Sequence, residues 1–155
     1  MAKRRSTIAM TPDEQEAFLQ EGHTLQVASN GLAGYPHLVA MFYAVIDGKV
    51  HVTTYAKSQK VQNLQRDPKI TVMVETGKLY SELRGLVIQG QVEIIEGDLE
   101  LAARVVEGPR AGTGRAHDTT SPTEDALRSL AKRVVIRVNS IHVYSWDHRK
   151  LGGIY

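Results

Sequence analysis

The dipeptide Asp47-Gly48, set between two apolar runs, most constrains what this chain can fold into. Asp-Gly readily adopts the positive φ angles that a two-residue hairpin turn needs. The run before it, residues 35–46, is mostly apolar without clean alternation, which is typical of a strand covered on both faces. The run after it, residues 50–55, is rich in β-branched and aromatic residues. The sequence therefore predicts an antiparallel hairpin.

The rest of the chain predicts further strands and a few short helices. Strands are expected at 25–29, 69–75, 86–95 and 133–146, and helices at 12–20, 58–66, 99–107 and about 122–132. The motif Thr11-Pro12-Asp13-Glu14 has the form of a capping box that starts the first helix. In the last strand the apolar positions change phase near Asn139-Ser140, which predicts a β-bulge.

About six antiparallel strands with few helices and no strand–helix–strand rhythm indicate a small barrel or sandwich. A length of 155 residues, 42% of them hydrophobic, suits one domain. We predict a single domain over 1–155, with a loose N-terminal arm at 1–10 and a C-terminal tail at 147–155. The glycine-containing stretch 108–122 is expected to be a long loop, and loops of that length are usually functional or disordered.

Composition excludes several classes of function. A net charge of +2 with scattered basic residues gives no stripe for a nucleic-acid backbone. The absence of cysteine excludes disulfides and thiolate chemistry, and the six histidines lack ligand spacing, so no metal site is expected. No segment approaches the roughly 18 apolar residues of a membrane span. We therefore predict a cytoplasmic protein.

The segment 53–68 predicts a strand, a tight turn and a short helix, which is an arrangement suited to an anion. The first amides of such a helix lack intrahelical partners, and the helix dipole adds partial positive charge there. Lys57 and Lys60 flank the turn, and Ser58 can cap the helix or donate its hydroxyl to a phosphate oxygen. The alternative is an ordinary surface turn with solvated lysines.

Two further segments are candidates for a pocket. The C-terminal stretch from Trp146 is aromatic and basic, and it either forms a flexible terminus or folds back over a pocket; a tryptophan favours the second. His37, at a strand entry, is a candidate substrate-binding residue. The turn at 57–60, the hairpin beside it that is buried on both faces, and this aromatic, basic C-terminus together predict a small cofactor with a phosphate and a flat ring.

Several motifs together resemble the pyridoxamine 5′-phosphate oxidase-like split β-barrel superfamily, over roughly residues 11–152. The motifs are Gly34-Tyr35-Pro36-His37, the apolar run 40–46 with Asp47-Gly48, Lys57-Ser58-x-Lys60, Asn63-Leu64 and Asp67-Pro68. More narrowly, the end of the chain at 145–152 is similar to that of the B-type deazaflavin (coenzyme F420)-dependent reductases. The arginine cluster of true pyridoxamine phosphate oxidases is missing ahead of the second strand.

The resemblance implies a mainly β, six-stranded antiparallel split barrel (Greek key) with peripheral helices, and a homodimer with cofactor sites at its interface. The implied cofactor-binding residues are Met41, Phe42, Tyr43, Thr54, Lys57, Ser58, Gln59 and Lys60, with Trp146, Arg149 and Lys150 contributed by the partner chain. The implied activity is an F420H2-dependent reduction of a conjugated small molecule. No catalytic acid is identified, although His37 and Tyr43 are considered. The alternatives are an FMN-dependent oxidoreductase and a non-catalytic flavin- or tetrapyrrole-binding protein.

Overall fold

The computed structural model describes residues 4–111 and 123–152. Its strands are β1 (Thr24–Asn30), β2 (Pro36–Phe42), β3 (Ala44–Ile46), β4 (Lys49–Tyr55), β5 (Lys69–Thr76), β6 (Arg84–Glu96) and β7 (Arg133–Asp147). Its α-helices are α1 (Arg4–Ile8), α2 (Pro12–Glu21), α3 (Gln59–Arg66), α4 (Leu99–Ala111) and α5 (Glu124–Ala131). Two short 3-10 helices, Tyr80–Glu82 and His148–Leu151, complete the described elements.

All seven strands form one antiparallel sheet in the order β2-β1-β5-β6-β7-β4-β3. The two edge strands, β2 and β3, follow each other along the chain and are separated by Tyr43 alone. The sheet must therefore curl until its edges meet, which confirms the predicted mainly β split barrel. The strand count differs because the run 35–46 changes partner at Tyr43: β2 pairs with β1, and β3 pairs with β4.

Alternate side chains of the strands fill the interior of the curled sheet, together with residues from two helices. Phe18 of α2 and Val61 and Leu64 of α3 join this core. A second, smaller cluster packs α4 against the outer face of β3 and β7, through residues such as Val105 and Val135. The helices therefore cover selected parts of the barrel and leave others open.

The predicted turn and bulge are both present. Asp47 and Gly48 have φ angles of 52° and 72°, as a two-residue hairpin with two left-handed residues requires. Between β6 and β7, Gln89 pairs with His142 whereas the next residue, Gly90, pairs with Ser140. The partner strand thus has one extra residue, Ile141, and the predicted change of phase is confirmed.

The N-terminal capping box is also confirmed, with Thr11 Oγ1 accepting from the amide of Glu14 and the Glu14 carboxylate accepting from the amide of Thr11. No described helix is long and apolar enough to cross a bilayer.

Three boundaries differ from the prediction. The arm at 1–10 contains helix α1, and Met10 is buried because its side chain joins the core. The expected tail begins inside β7, which ends at Asp147, and continues as a 3-10 helix. Helix α4 extends to Ala111, so residues 108–111 of the expected loop are helical; the rest of that loop, residues 112–122, lies outside the described part of the chain.

Candidate functional site

A tight turn leads from β4 into α3 and leaves the start of that helix open. The amide of Ser58 donates to the carbonyl of Tyr55 at 3.0 Å. Ser58 is the N-cap residue, but its side chain makes no capping hydrogen bond. Within the described residues, the amides of Gln59 and Lys60 have no acceptor. Two N–H groups and the positive end of the helix dipole therefore face outward together.

A chain of hydrogen bonds lies beside these amides. Lys60 Nζ donates to Thr54 Oγ1 at 3.0 Å, and Thr54 Oγ1 donates to Ser58 Oγ at 3.4 Å. Because Ser58 Oγ accepts in this chain, its own proton is available to an external acceptor. Partial burial lowers the pKa of the Lys60 ammonium, and the neutral hydroxyl of Thr54 leaves its charge unbalanced. Lys57 is exposed beside the turn.

The opposite side of α3 is fixed to β1. Asn63 is fully buried; its Nδ2 donates to Ser29 Oγ at 3.2 Å, and its Oδ1 accepts from Gln59 Nε2 at 2.9 Å. Arg66 donates to the carbonyl of Asn30 at 2.6 Å. The bonds of Asn63 and Arg66 hold α3 against β1. The bond from Gln59 commits its side chain, which was predicted to bind the cofactor, to an internal partner.

The split in the barrel, which is the gap between β2 and β4, opens next to this turn. In the ladder between β3 and β4, Ala44 pairs with His51. If β2 continued this register, Phe42 would lie opposite Thr53, but β2 and β4 do not pair among the described residues. Thr53 Oγ1 is buried and has no hydrogen-bond partner within the part of the chain that the structure describes. Thr53 is thus a candidate that the sequence prediction missed in favour of Thr54. Strand parity is the signal that could have distinguished these two threonines, because neighbouring residues of a strand point to opposite faces of the sheet.

The three predicted residues 41–43 contribute differently to this opening. The Phe42 side chain is exposed and Met41 is half-buried. Tyr43 points inward; its hydroxyl donates to the carbonyl of Leu19 at 2.6 Å, and burial raises its pKa to about 12. Tyr43 is therefore unsuited to act as a proton donor to a ligand in the split, and only its backbone borders this site.

His37 lies at the same end of the barrel as α3. It pairs across the strands with Ser29, the residue that accepts from the buried Asn63. Its ring is half-buried, and its Nδ1 has no hydrogen-bond partner among the described residues. An unpartnered buried nitrogen is costly in a folded protein, so His37 remains a candidate ligand contact.

The C-terminal segment is ordered by contacts within the chain. The Trp146 ring lies against Gly85, where an added Cβ would meet ring atoms at 1.9 Å. Asp147 accepts from Arg149 through both oxygens, at 2.9 and 2.6 Å, and this guanidinium lowers the pKa of the carboxyl. Lys150 Nζ donates to the carbonyl of Ala9 and to Glu14, at 2.8 and 2.6 Å. Both predicted basic residues therefore already have partners.

The two predicted halves of the site lie at opposite ends of β7. Its first residue, Arg133, pairs with Tyr55 beside the turn, whereas its last, Asp147, pairs with Arg84. At about 3.3 Å per residue, this strand has an extended path of roughly 45 Å. One chain brings together Thr53, Thr54 and residues 57–60, but it does not place the segment 146–150 beside them.

Comparison with solved structures finds the same fold in several proteins. A conserved hypothetical protein from Mycobacterium tuberculosis is 39% identical, with a TM-score of 0.86 over 99% of this chain and 95% of the other. An F420 reductase is 23% identical, with a TM-score of 0.63 over 83% and 94% of the two chains. A heme storage protein from Vibrio cholerae is 17% identical, with a TM-score of 0.62 over 87% and 94%.

A comparison with curated proteins gives no match. The family model described as pyridoxamine 5′-phosphate oxidase matches residues 11–147. That match includes every strand of the sheet, the split and the turn into α3. The chain therefore belongs to the pyridoxamine 5′-phosphate oxidase family.

Proposed function

We propose that this protein is an F420H2-dependent reductase whose cofactor phosphate binds at the turn from β4 into α3. The observation that carries the proposal is the open start of α3. The hydrogen-bond donors there are two free amides, the hydroxyl of Ser58 and the ammonium groups of Lys57 and Lys60. The amides and the hydroxyl carry no full charge, whereas each ammonium group does. Such a set suits a phosphate, which is an acceptor with up to two negative charges.

The ring of the cofactor would extend from this turn into the split between β2 and β4. When bound, a reduced deazaflavin supplies the hydride that reduces a conjugated substrate. The chain would position the cofactor. The backbone of residues 41–43 and the side chain of Thr53 border the split, and helix α3, which is hydrogen-bonded to β1, would hold the phosphate. His37 is the proposed contact to the substrate.

A homodimer would complete the site. Leu38 and Phe42 are 64% and 68% exposed on the outer face of β2, and the strand register places Tyr144, 45% exposed, on the same face of the sheet. An uncovered face of this kind is typical of a contact with another chain. Because segment 146–150 lies at the far end of β7, only a partner subunit's copy of that segment would reach the turn.

The second candidate is an FMN-dependent oxidoreductase, which would use the same turn. F420 carries an acidic oligoglutamate tail, which needs basic side chains beyond the phosphate, and the candidates in this chain are Lys60, Arg66, Arg149 and Lys150. Arg66, Arg149 and Lys150 bind groups of their own chain in the structure. This observation favours FMN, which has no such tail; in an F420 complex the tail would have to displace these contacts.

The test is a paired titration of the purified protein with F420 and with FMN, followed by fluorescence. We expect preferential binding of F420, and preferential binding of FMN would assign the protein to the flavin branch. Tight binding of either without turnover of any electron acceptor would support a carrier.

The double variant Lys57→Ala/Lys60→Ala tests the phosphate assignment. Each lost charge-assisted bond should weaken cofactor binding by about 1.5 to 3 kcal/mol. Lys78→Ala, which removes an exposed lysine from the loop after β5, is the matched control and should bind normally. Unchanged affinity in the double variant would refute the assignment.

A further inference from the structure

The change of strand partner at Tyr43 leaves a second open edge, on the side of β3 that faces away from β4. Ile46 and Lys49 flank the two-residue turn, so they form its closing hydrogen-bonded pair. Hydrogen-bonded and non-hydrogen-bonded pairs alternate along an antiparallel ladder. Val45, which pairs with Val50, therefore directs its backbone N–H and C=O away from β4. Within the described residues no strand pairs with this edge.

A cavity of about 360 Å³ lies along this edge, between the end of α2 and the last turns of α4. Its volume falls in the range of small-molecule pockets, which runs from roughly 300 to 1,000 Å³. Its lining includes Gly22 after α2, Tyr43 and Val45 at and beyond the change of strand partner, and Arg104, Glu107 and Gly108 on α4. Two helices therefore border the open strand edge and limit the length of what it can bind.

The cavity offers two kinds of polar group, which are charged side chains on α4 and the backbone N–H and C=O of Val45. Arg104 and Glu107 are three residues apart on α4, and neither forms an ion pair with another described residue. The planar guanidinium of arginine matches a carboxylate or a similar acid. The adjacent N–H and C=O of Val45 match the adjacent C=O and N–H of a ring lactam or imide, because two such edges exchange both hydrogen bonds.

We propose that this cavity binds a small planar heterocycle that presents a ring lactam or imide to Val45 and an acidic substituent to Arg104. A peptide strand fits less well, because β3 has only three residues and helices border it on both sides. The cavity shares Tyr43 with the border of the split but none of residues 53–60, and the proposal does not depend on the identity of the cofactor.

The test is an amide NMR titration of the full ¹⁵N-labelled chain with three probes. Orotate carries both an imide and a carboxylate, uracil lacks the carboxylate, and 1,3-dimethyluracil lacks every ring N–H. We expect saturable shifts at the amides of Val45 and Gly108 with orotate, about tenfold weaker binding of uracil, and no saturable shift with dimethyluracil.

Two variants complete the experiment. Arg104→Ala should reduce the affinity for orotate to that for uracil, while Arg128→Ala, an exposed arginine on α5, should leave it unchanged. The dispersion of the spectra verifies that each variant is folded. The Lys57→Ala/Lys60→Ala variant should bind orotate normally, which separates this site from the cofactor site.

Three results would overturn the proposal. The first is the absence of saturable shifts at Val45 with orotate up to about 10 mM, where a site of roughly millimolar affinity is mostly occupied. The second is an equal response to dimethyluracil. The third is an Arg104→Ala variant that binds orotate as the unmodified chain does.

Discussion

The contact between Trp146 and Gly85 gives a prediction that one substitution can test. An alanine Cβ at position 85 would lie 1.9 and 2.3 Å from two ring atoms of Trp146, whereas ordinary contacts begin near 3.4 Å. The ring would have to move by about 1.5 Å or more. Overpacking of this kind costs about 1 to 3 kcal/mol, which lowers Tm by roughly 2 to 12 °C in a chain of this size.

The assay is direct because Trp146 is the only tryptophan in the chain. In Gly85→Ala the displaced ring should become more exposed to water, so its fluorescence emission should shift to longer wavelength. If Trp146 enters the partner's cofactor site, cofactor affinity should fall in the same variant.

The matched control is Gly97→Ala. An added Cβ there meets no atom within 4 Å, but φ is +74°, so the change costs about 1 to 2 kcal/mol in the backbone alone. It should lower Tm without shifting the emission. A Gly85→Ala protein with unchanged emission and unchanged Tm would refute the packing argument.

Two further predictions concern buried polar side chains. Tyr43→Phe removes the hydrogen bond to Leu19 and should cost about 0.5 to 1.5 kcal/mol of unfolding free energy, measured by chemical denaturation; an equally stable variant would contradict it. His51 is buried, and its ring bonds to the carbonyl of Lys49 and to Arg137. Burial lowers its pKa, so the unfolded chain takes up a proton first, and the contribution of His51 to stability is complete above about pH 6.5 and falls below it. Denaturation midpoints at about pH 7.5 and 5.5 should differ less in His51→Gln than in the unmodified chain, and an equal difference would exclude His51 as the cause.

Local features of the fold could be predicted because their signals are local. The turn at Asp47-Gly48 depends on two residues that tolerate positive φ, and the capping box at Thr11 depends on four consecutive residues. The bulge at Ile141 was predicted as a change of apolar phase within one strand. In each case the physical cause lies within a few residues of the effect.

The change of partner at Tyr43 could not be predicted in this way. Residues 35–46 are apolar on both sides of it, and nothing in the run shows that β2 pairs with β1 while β3 pairs with β4. Strand parity distinguishes Thr53 from Thr54, but the missing hydrogen-bond partner of the Thr53 hydroxyl follows from the gap between β2 and β4 in the described residues, which the sequence does not show.

The candidate site was predicted in part. The open helix start at 58–60 follows from a strand, a turn and a helix that are adjacent in sequence. The partners of Lys150 could not be predicted in this way, because they lie near the other end of the chain. The partner of Gln59 is Asn63, four residues further along the same helix, so this contact is local. Side chains that are basic in the sequence are not necessarily free in the folded protein.

The bonds of Lys150 to Ala9 and Glu14 couple the two ends of the chain. The amide of Met10 also donates to Ser145 at 3.0 Å, so the segment before α2 forms part of the support for the C-terminal segment. Proteolytic trimming or a purification tag ahead of Met10 would therefore act on residues 146–150. An N-terminal fusion is consequently not a neutral choice for cofactor measurements, and a cleavable tag should be removed before them.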